Sequence, residues 1–241
     1  MRRPLAHTAL ALGLVLAAAT IAARPREALA APPATALFGT LEFRSDSLAA
    51  LPQWRRVLER IDGERATYAA CADGRDGCGS RAAQAWQALL RGLDGAPEVQ
   101  QVREVNSFLN QWRYRPDNEN WGRSDYWASP LEFLRRSGDC EDYAIAKYVS
   151  LRSLGFEADR LRMVVLRDTL RNLAHAVLAV RMADGVYILD NLSNAVLPQS
   201  RLGHYAPYYS INENSRWAHV APGSVVVSAA VPAGRGSFQE R

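Results

Sequence analysis

The chain has 241 residues, 48% of them hydrophobic and 22% charged, which suits one substantial core and is too apolar for a disordered polymer. Its formal charge is +4, but Arg2, Arg3, Arg24 and Arg26 against Glu27 account for +3 within the first thirty residues and leave +1 for the rest. No basic field persists to attract phosphates, so a nucleic-acid partner is not expected.

In chain order, Arg2 and Arg3 precede an apolar run from Ala9 to Ala23 that carries no charge and is short for a bilayer span. Ala28-Leu29-Ala30 offers small residues at signal-peptidase spacing, with Thr20-Ile21-Ala22 as a rival. Residues 1–30 therefore read as a signal peptide, with an uncleaved anchor as the alternative, and the remainder as exported. Residues 31–36 form a Pro/Ala linker, 37–220 a single domain, and 221–241 a tail poor in large apolar residues apart from Val225-Val226-Val227.

Within the domain, Leu48 to Ile61 and Arg81 to Leu93 carry apolar residues at helical spacing, and a stripe from Val99 to Trp112 ends before Pro116. Cys71 and Cys78 enclose a turn-rich loop, and export to an oxidising compartment makes a local disulfide plausible there. Cys140 is then the odd thiol. Ser137-Gly138-Asp139 supplies a turn and N-cap, and Cys140 to Gly155 reads as a helix ended by a glycine. Beyond it, Leu161 to Leu166, Ala174 to Val180 and Val186 to Leu189 read as strands, the last two separated by an Asp184-Gly185 turn. Helices followed by an antiparallel sheet predict an α+β fold.

The chemistry centres on Cys140. A thiolate is the useful nucleophile, and a helix N-terminus lowers a thiol's pKa. The plain alternative is a buried small hydrophobe. His175 opens the second strand and could take the thiol proton, whereas His204 in a loop and His219 beside the tail are poorer candidates. Asp190 ends the third strand and could hold the imidazole tautomer. A two-residue turn at Asp184-Gly185 would, however, set His175 opposite Asn194, so a bulge or longer loop is required and Asn191 and Asn194 remain possible orienters. Asp139, Glu141 and Asp142 crowd the thiol with negative charge and oppose its ionisation. They are either ordinary capping residues or half of a Ca²⁺ site, and on the residues alone capping is the simpler account. The aromatic loop Trp121 to Pro130 could wall a peptide groove.

Taken together, the run Asp125 to Tyr148, His175-Ala-Val-Leu, Leu189-Asp-Asn and Tyr208 to Glu213 resembles the bacterial transglutaminase-like cysteine proteinases, in particular LapG-type periplasmic proteases. The resemblance implies a transglutaminase-like fold within the papain-like group, with Cys140, His175 and Asp190 as the triad. It also implies that Asp139, Glu141 and Asp142 form the calcium motif, reversing the preference for capping. It further implies a periplasmic location and cleavage of a large surface adhesin near its N-terminal region at paired alanines, which disperses a biofilm. Control by a LapD-like inner-membrane cyclic-di-GMP receptor is implied as well. The resemblance assigns no role to the Cys71/Cys78 loop. Rival functions are a peptidoglycan-directed cysteine amidase, a true transglutaminase, and a non-catalytic calcium-dependent binding module.

Overall fold

A computed structural model describes residues 36–73, 78 and 80–223, all within the unit Thr35–Arg241. The expected signal peptide, most of the linker and the tail's valine run lie outside the described residues. Among the described residues no helix is long and apolar enough to cross a membrane.

Among the described residues, six α-helices and seven strands follow one another as β1 (Leu41–Ser45), α1 (Pro52–Ala72), α2 (Arg81–Leu93), α3 (Glu98–Leu109), α4 (Asp117–Asn120), α5 (Pro130–Arg136), α6 (Cys140–Ser153), β2 (Leu161–Asp168), β3 (Leu173–Met182), β4 (Gly185–Asp190), β5 (Ser193–Pro198), β6 (Tyr205–Ile211) and β7 (Arg216–Val220). The strands form one sheet in the order β1-β7-β6-β2-β3-β4-β5, and every neighbouring pair is antiparallel. Helices then sheet is therefore correct except for β1, which precedes the helices and closes one edge through β7. α1 starts later than the apolar spacing predicts, because Pro52 takes the first helical position, where its missing N–H costs nothing; it runs on to Ala72.

The helices cover one sheet face. α6 is the innermost, with every residue from Asp142 to Leu151 buried, as befits a helix surrounded on all sides. Trp54 and Trp86 are wholly buried beside it and satisfy their indole N–H groups by donating to the Asn212 carbonyl at 2.9 Å and to Ser150 Oγ at 2.8 Å. The opposite sheet face carries a smaller core of Leu37, Val164, Leu166, Val177, Val186 and Ile188.

Cys71 and Cys78 form the expected disulfide, closing the end of α1 against the approach to α2. A cross-link over a sequence separation of 7 restricts the unfolded chain by about 2 kcal/mol. Denaturant unfolding of Cys71→Ser/Cys78→Ser is expected to show that loss; an unchanged midpoint would mean the α1–α2 junction is held without the bridge.

Candidate active site

α5 ends at Arg136, and the chain reverses through Ser137, whose φ of 63° is uncommon for a residue with a Cβ. Gly138 follows, where an added Cβ would lie 1.9 Å from Asp142 Oδ2, so glycine is obligatory for this close approach. Asp142 is fully buried and ties the start of α6 to its surroundings, accepting from the Ala128 N–H at 2.6 Å and from the Asp139 N–H at 3.3 Å. Cys140 thus opens α6 as the one free cysteine, half-buried. It faces a cleft of about 440 Å³ whose lining includes Tyr114, Trp127, Asp139, Glu141, His175 and Tyr209.

His175 enters this cleft from β3, and the hairpin register decides its partner. Met182 pairs with Gly185, so the two turn residues are Ala183 and Asp184, one position earlier than the sequence suggested. With Leu178 opposite Leu189, Asp190 falls opposite Val177, diagonal to His175 on the same sheet face. No bulge between these strands is needed. The Nε2 of His175 lies 3.0 Å from Asp190 Oδ1, and both side chains are buried. A carboxylate only accepts, so Nε2 carries the proton and Nδ1 is left as the basic nitrogen. Asp190 Oδ1 also accepts the Leu192 N–H at 2.9 Å, while Oδ2 accepts the Tyr205 hydroxyl at 2.5 Å. Burial works to raise the Asp190 pKa, but His175, Tyr205 and the Leu192 N–H outweigh it and hold the carboxyl below its usual range. Asn191 and Asn194 do not take this role; Asn194 Oδ1 accepts from Asn110 instead. Of the other histidines, His204 packs on Tyr205 and His219 lies within β7, bonded to Thr40 and Ser210, away from the thiol.

The thiol itself donates to Glu141 Oε2 at 3.2 Å. Burial, the Glu141 charge and hydrogen bond, and the Asp139 charge drive its pKa well above the ordinary value, while a hydrogen bond from the backbone of Ala176, the residue after His175, works the other way. Acid crowding extends further than Asp139, Glu141 and Asp142. Oxygens of Asp117, Asp139 and Asp142 lie within 4.8 Å of one another, as do those of Asp117, Asp125 and Glu141, so Asp117 joins both groups. Burial and then Glu141 and Asp142 push Asp139 up to about 9, burial pushes Asp117 up to about 6, and burial pushes Asp142 well up. Asp117 Oδ1 and Asp139 Oδ1 are buried and have no hydrogen-bond partner among the described residues. Orphaned, mutually repelling carboxylate oxygens fit a hard cation, and an all-oxygen donor set does not suit a soft metal.

Asp117 and Asp125 were not singled out as ligands in the sequence, although Pro116-Asp117-Asn118-Glu119-Asn120 is an acid- and amide-rich stretch and Asp125 lies within the aromatic loop. Tyr205 gave no signal at all, because only the sheet brings it to Asp190.

The family profile described as bacterial transglutaminase-like cysteine proteinase BTLCP matches residues 65–224, more than half of the chain. The chain belongs to this family. Among solved structures it is similar to Legionella pneumophila LapG, at 35% identity over 61% of this chain and 83% of that one, with a TM-score of 0.54. The calcium-bound form of that protein aligns at 34% identity over 63% of this chain and 85% of that one, with a TM-score of 0.56. Its EGTA-treated form aligns at 35% identity over 61% and 81%, with a TM-score of 0.54. No curated protein matches. As a transglutaminase-like cysteine proteinase, the chain has the α+β fold that its helices and antiparallel sheet describe.

Two substitutions probe the cluster. Asp117→Asn removes the carboxylate common to both groups and is expected to weaken Ca²⁺ binding by on the order of tenfold or more in a calorimetric titration; unaltered affinity would take Asp117 out of the site. Gly138→Ala forces Asp142 from its place and is expected to lose roughly 1–3 kcal/mol in denaturant unfolding. Full stability would mean the start of α6 yields without cost.

Proposed function

We propose that this family member is a calcium-dependent periplasmic cysteine endopeptidase whose nucleophile is Cys140, whose base is His175 and whose orienting carboxylate is Asp190. The observation that carries the reading is the buried His175–Asp190 bond beside a helix-terminal thiol in one cleft. His175 Nδ1 takes the proton from Cys140, and the thiolate adds to a peptide carbonyl. Backbone N–H groups at the start of α6, which lack intrahelical acceptors, face the developing oxyanion. The C–N bond then breaks, the amine leaves with the proton held by His175, and water attacks the thioester to release the acid.

Asp117, Asp125, Asp139, Glu141 and Asp142 are the residues that would hold calcium, with the donor set extended beyond the three acids of the sequence motif. Calcium, when bound, supplies positive charge that offsets the carboxylates opposing thiolate formation. The calcium-bound and EGTA-treated forms of Legionella LapG support this choice of cation. By the same kinship the substrate is the N-terminal region of a large surface adhesin cut at paired alanines, releasing it and dispersing a biofilm. Control then falls to a LapD-like inner-membrane receptor that responds to cyclic-di-GMP.

The test is incubation of the purified protein with the N-terminal region of an adhesin from the same organism, with Ca²⁺ or EGTA, followed by sequencing of the new end. Cleavage is expected between alanines, to stop with EGTA, and to be absent in Cys140→Ala that retains the native circular dichroism. Cleavage by Cys140→Ala, or incorporation of an amine donor in place of cleavage, would overturn the reading.

A further inference from the structure

Beside the cleft that holds Cys140 lies a second pocket, of about 250 Å³, between the β2–β3 turn and the residues that follow β4. Among the described residues, Tyr114, Leu173 and Leu192 belong to the large apolar side chains left exposed, and all three line this pocket. Leu170, exposed as well, stands on the adjoining turn. Apolar residues scattered singly over a surface need no explanation, whereas a cluster around a cavity marks a place where something binds. Nothing in the chemistry above employs it.

Each wall of the pocket is tied to one member of the triad. The backbone of Tyr114 pairs with Gly138, two residues before Cys140, and the Arg115 N–H donates to the Gly138 carbonyl at 2.8 Å. Leu173 precedes His175 by two residues on β3, which sets both side chains on one sheet face. Leu192 follows Asp190 by two residues and donates its N–H to Asp190 Oδ1 at 2.9 Å. The β2–β3 turn is fixed as well. Buried Asp168 accepts the N–H groups of Leu170 and Arg171 at 3.0 and 3.1 Å and pairs with the Arg171 guanidinium at 2.7 Å. Thr169 donates its N–H and its hydroxyl to the His204 carbonyl at 3.0 and 2.9 Å. A turn with its polar groups satisfied in this way presents its leucines to solvent in a set position.

We infer that this pocket is a specificity subsite that takes one large apolar side chain of the polypeptide substrate, on one side of the scissile bond, with Leu173 and Leu192 as its selecting residues. The inference rests on the Cys140–His175–Asp190 protease reading and adds substrate selection to it. Continuity decides the occupant. Tyr114, Ala174 and His175 line both this pocket and the cleft that holds Cys140, so an extended chain that lies at the thiol and passes the imidazole enters it. An extended peptide advances about 3.3 Å per residue, which brings a side chain within about three positions of the bond into reach. An alanine methyl cannot fill about 250 Å³, so the residue selected is a neighbour of the alanine pair.

The test uses the N-terminal region of the adhesin, with each of the three residues on either side of the alanine pair replaced in turn by Leu and by Asp, and kcat/KM measured at saturating Ca²⁺. Wild type is expected to prefer Leu over Asp by about tenfold or more at a position on one side. Leu173→Lys and Leu192→Lys place a cation at the pocket wall. Both leucines are exposed, at 60% and 49%, so the fold has little to lose, and native circular dichroism checks it. Each variant is expected to abolish the preference for Leu at that position and turn it toward Asp. A merely structural role would lower cleavage of every substrate alike and invert no preference. Indifference to Leu or Asp at every position in wild type, or a preference for Leu that survives both substitutions, would overturn the inference and leave the pocket to a different partner. Absence of any cleavage by wild type, or cleavage by Cys140→Ala, fails the protease reading and the subsite with it, whereas cleavage without the preference fails the subsite alone.

Discussion

Negative charge around a thiol is the constraint from which the site follows. Cys140 stands at the start of α6, where the helix dipole favours an anion, yet it donates to Glu141 and shares its surroundings with Asp139 and Asp142. A dipole contribution of at most about 2 kcal/mol cannot offset several close carboxylates in a buried setting. The orphaned oxygens of Asp117 and Asp139 mark where a cation would add opposing charge.

The fold serves this arrangement by pinning both partners from within. α6 is buried on all sides, so Cys140 has little freedom to drift, and Gly138 allows Asp142 to bind the backbone of its own turn and of Ala128. His175 and Asp190 sit on adjacent strands whose pairing fixes their diagonal contact, and Tyr205 from β6 locks the second carboxylate oxygen. Losing one such buried hydrogen bond costs on the order of 1–3 kcal/mol. Rigidity here is a matter of register and satisfied polar groups more than of covalent constraint. The disulfide lies elsewhere, bracing the α1–α2 junction.

Much of this was legible in the sequence because it is local. A turn, an acidic cap, a cysteine, good helix formers and a terminal glycine define α6 within a residue or two, and the 71/78 disulfide follows from loop composition and export. The hairpin was misplaced by one residue, since Asp184-Gly185 carries a turn signal that Ala183-Asp184 does not. That single step is decisive, because it exchanges Asn194 for Asp190 as the residue that can reach His175. β1, β5 and β7 escaped notice because they are short and carry polar residues among their apolar ones, and β6 because Pro207 in its middle argues against a strand. Asp117, Asp125 and Tyr205 come from separate elements whose convergence no spacing encodes.

The central claim is that added positive charge at the acid cluster is what allows Cys140 to ionise. Thiolate absorbance of Cys140, followed across pH with and without Ca²⁺ in otherwise identical buffer, measures it directly. A Cys140 pKa markedly lower in Ca²⁺ than in EGTA is the predicted result. Equal values in the two conditions, with calcium binding shown separately, would contradict the account.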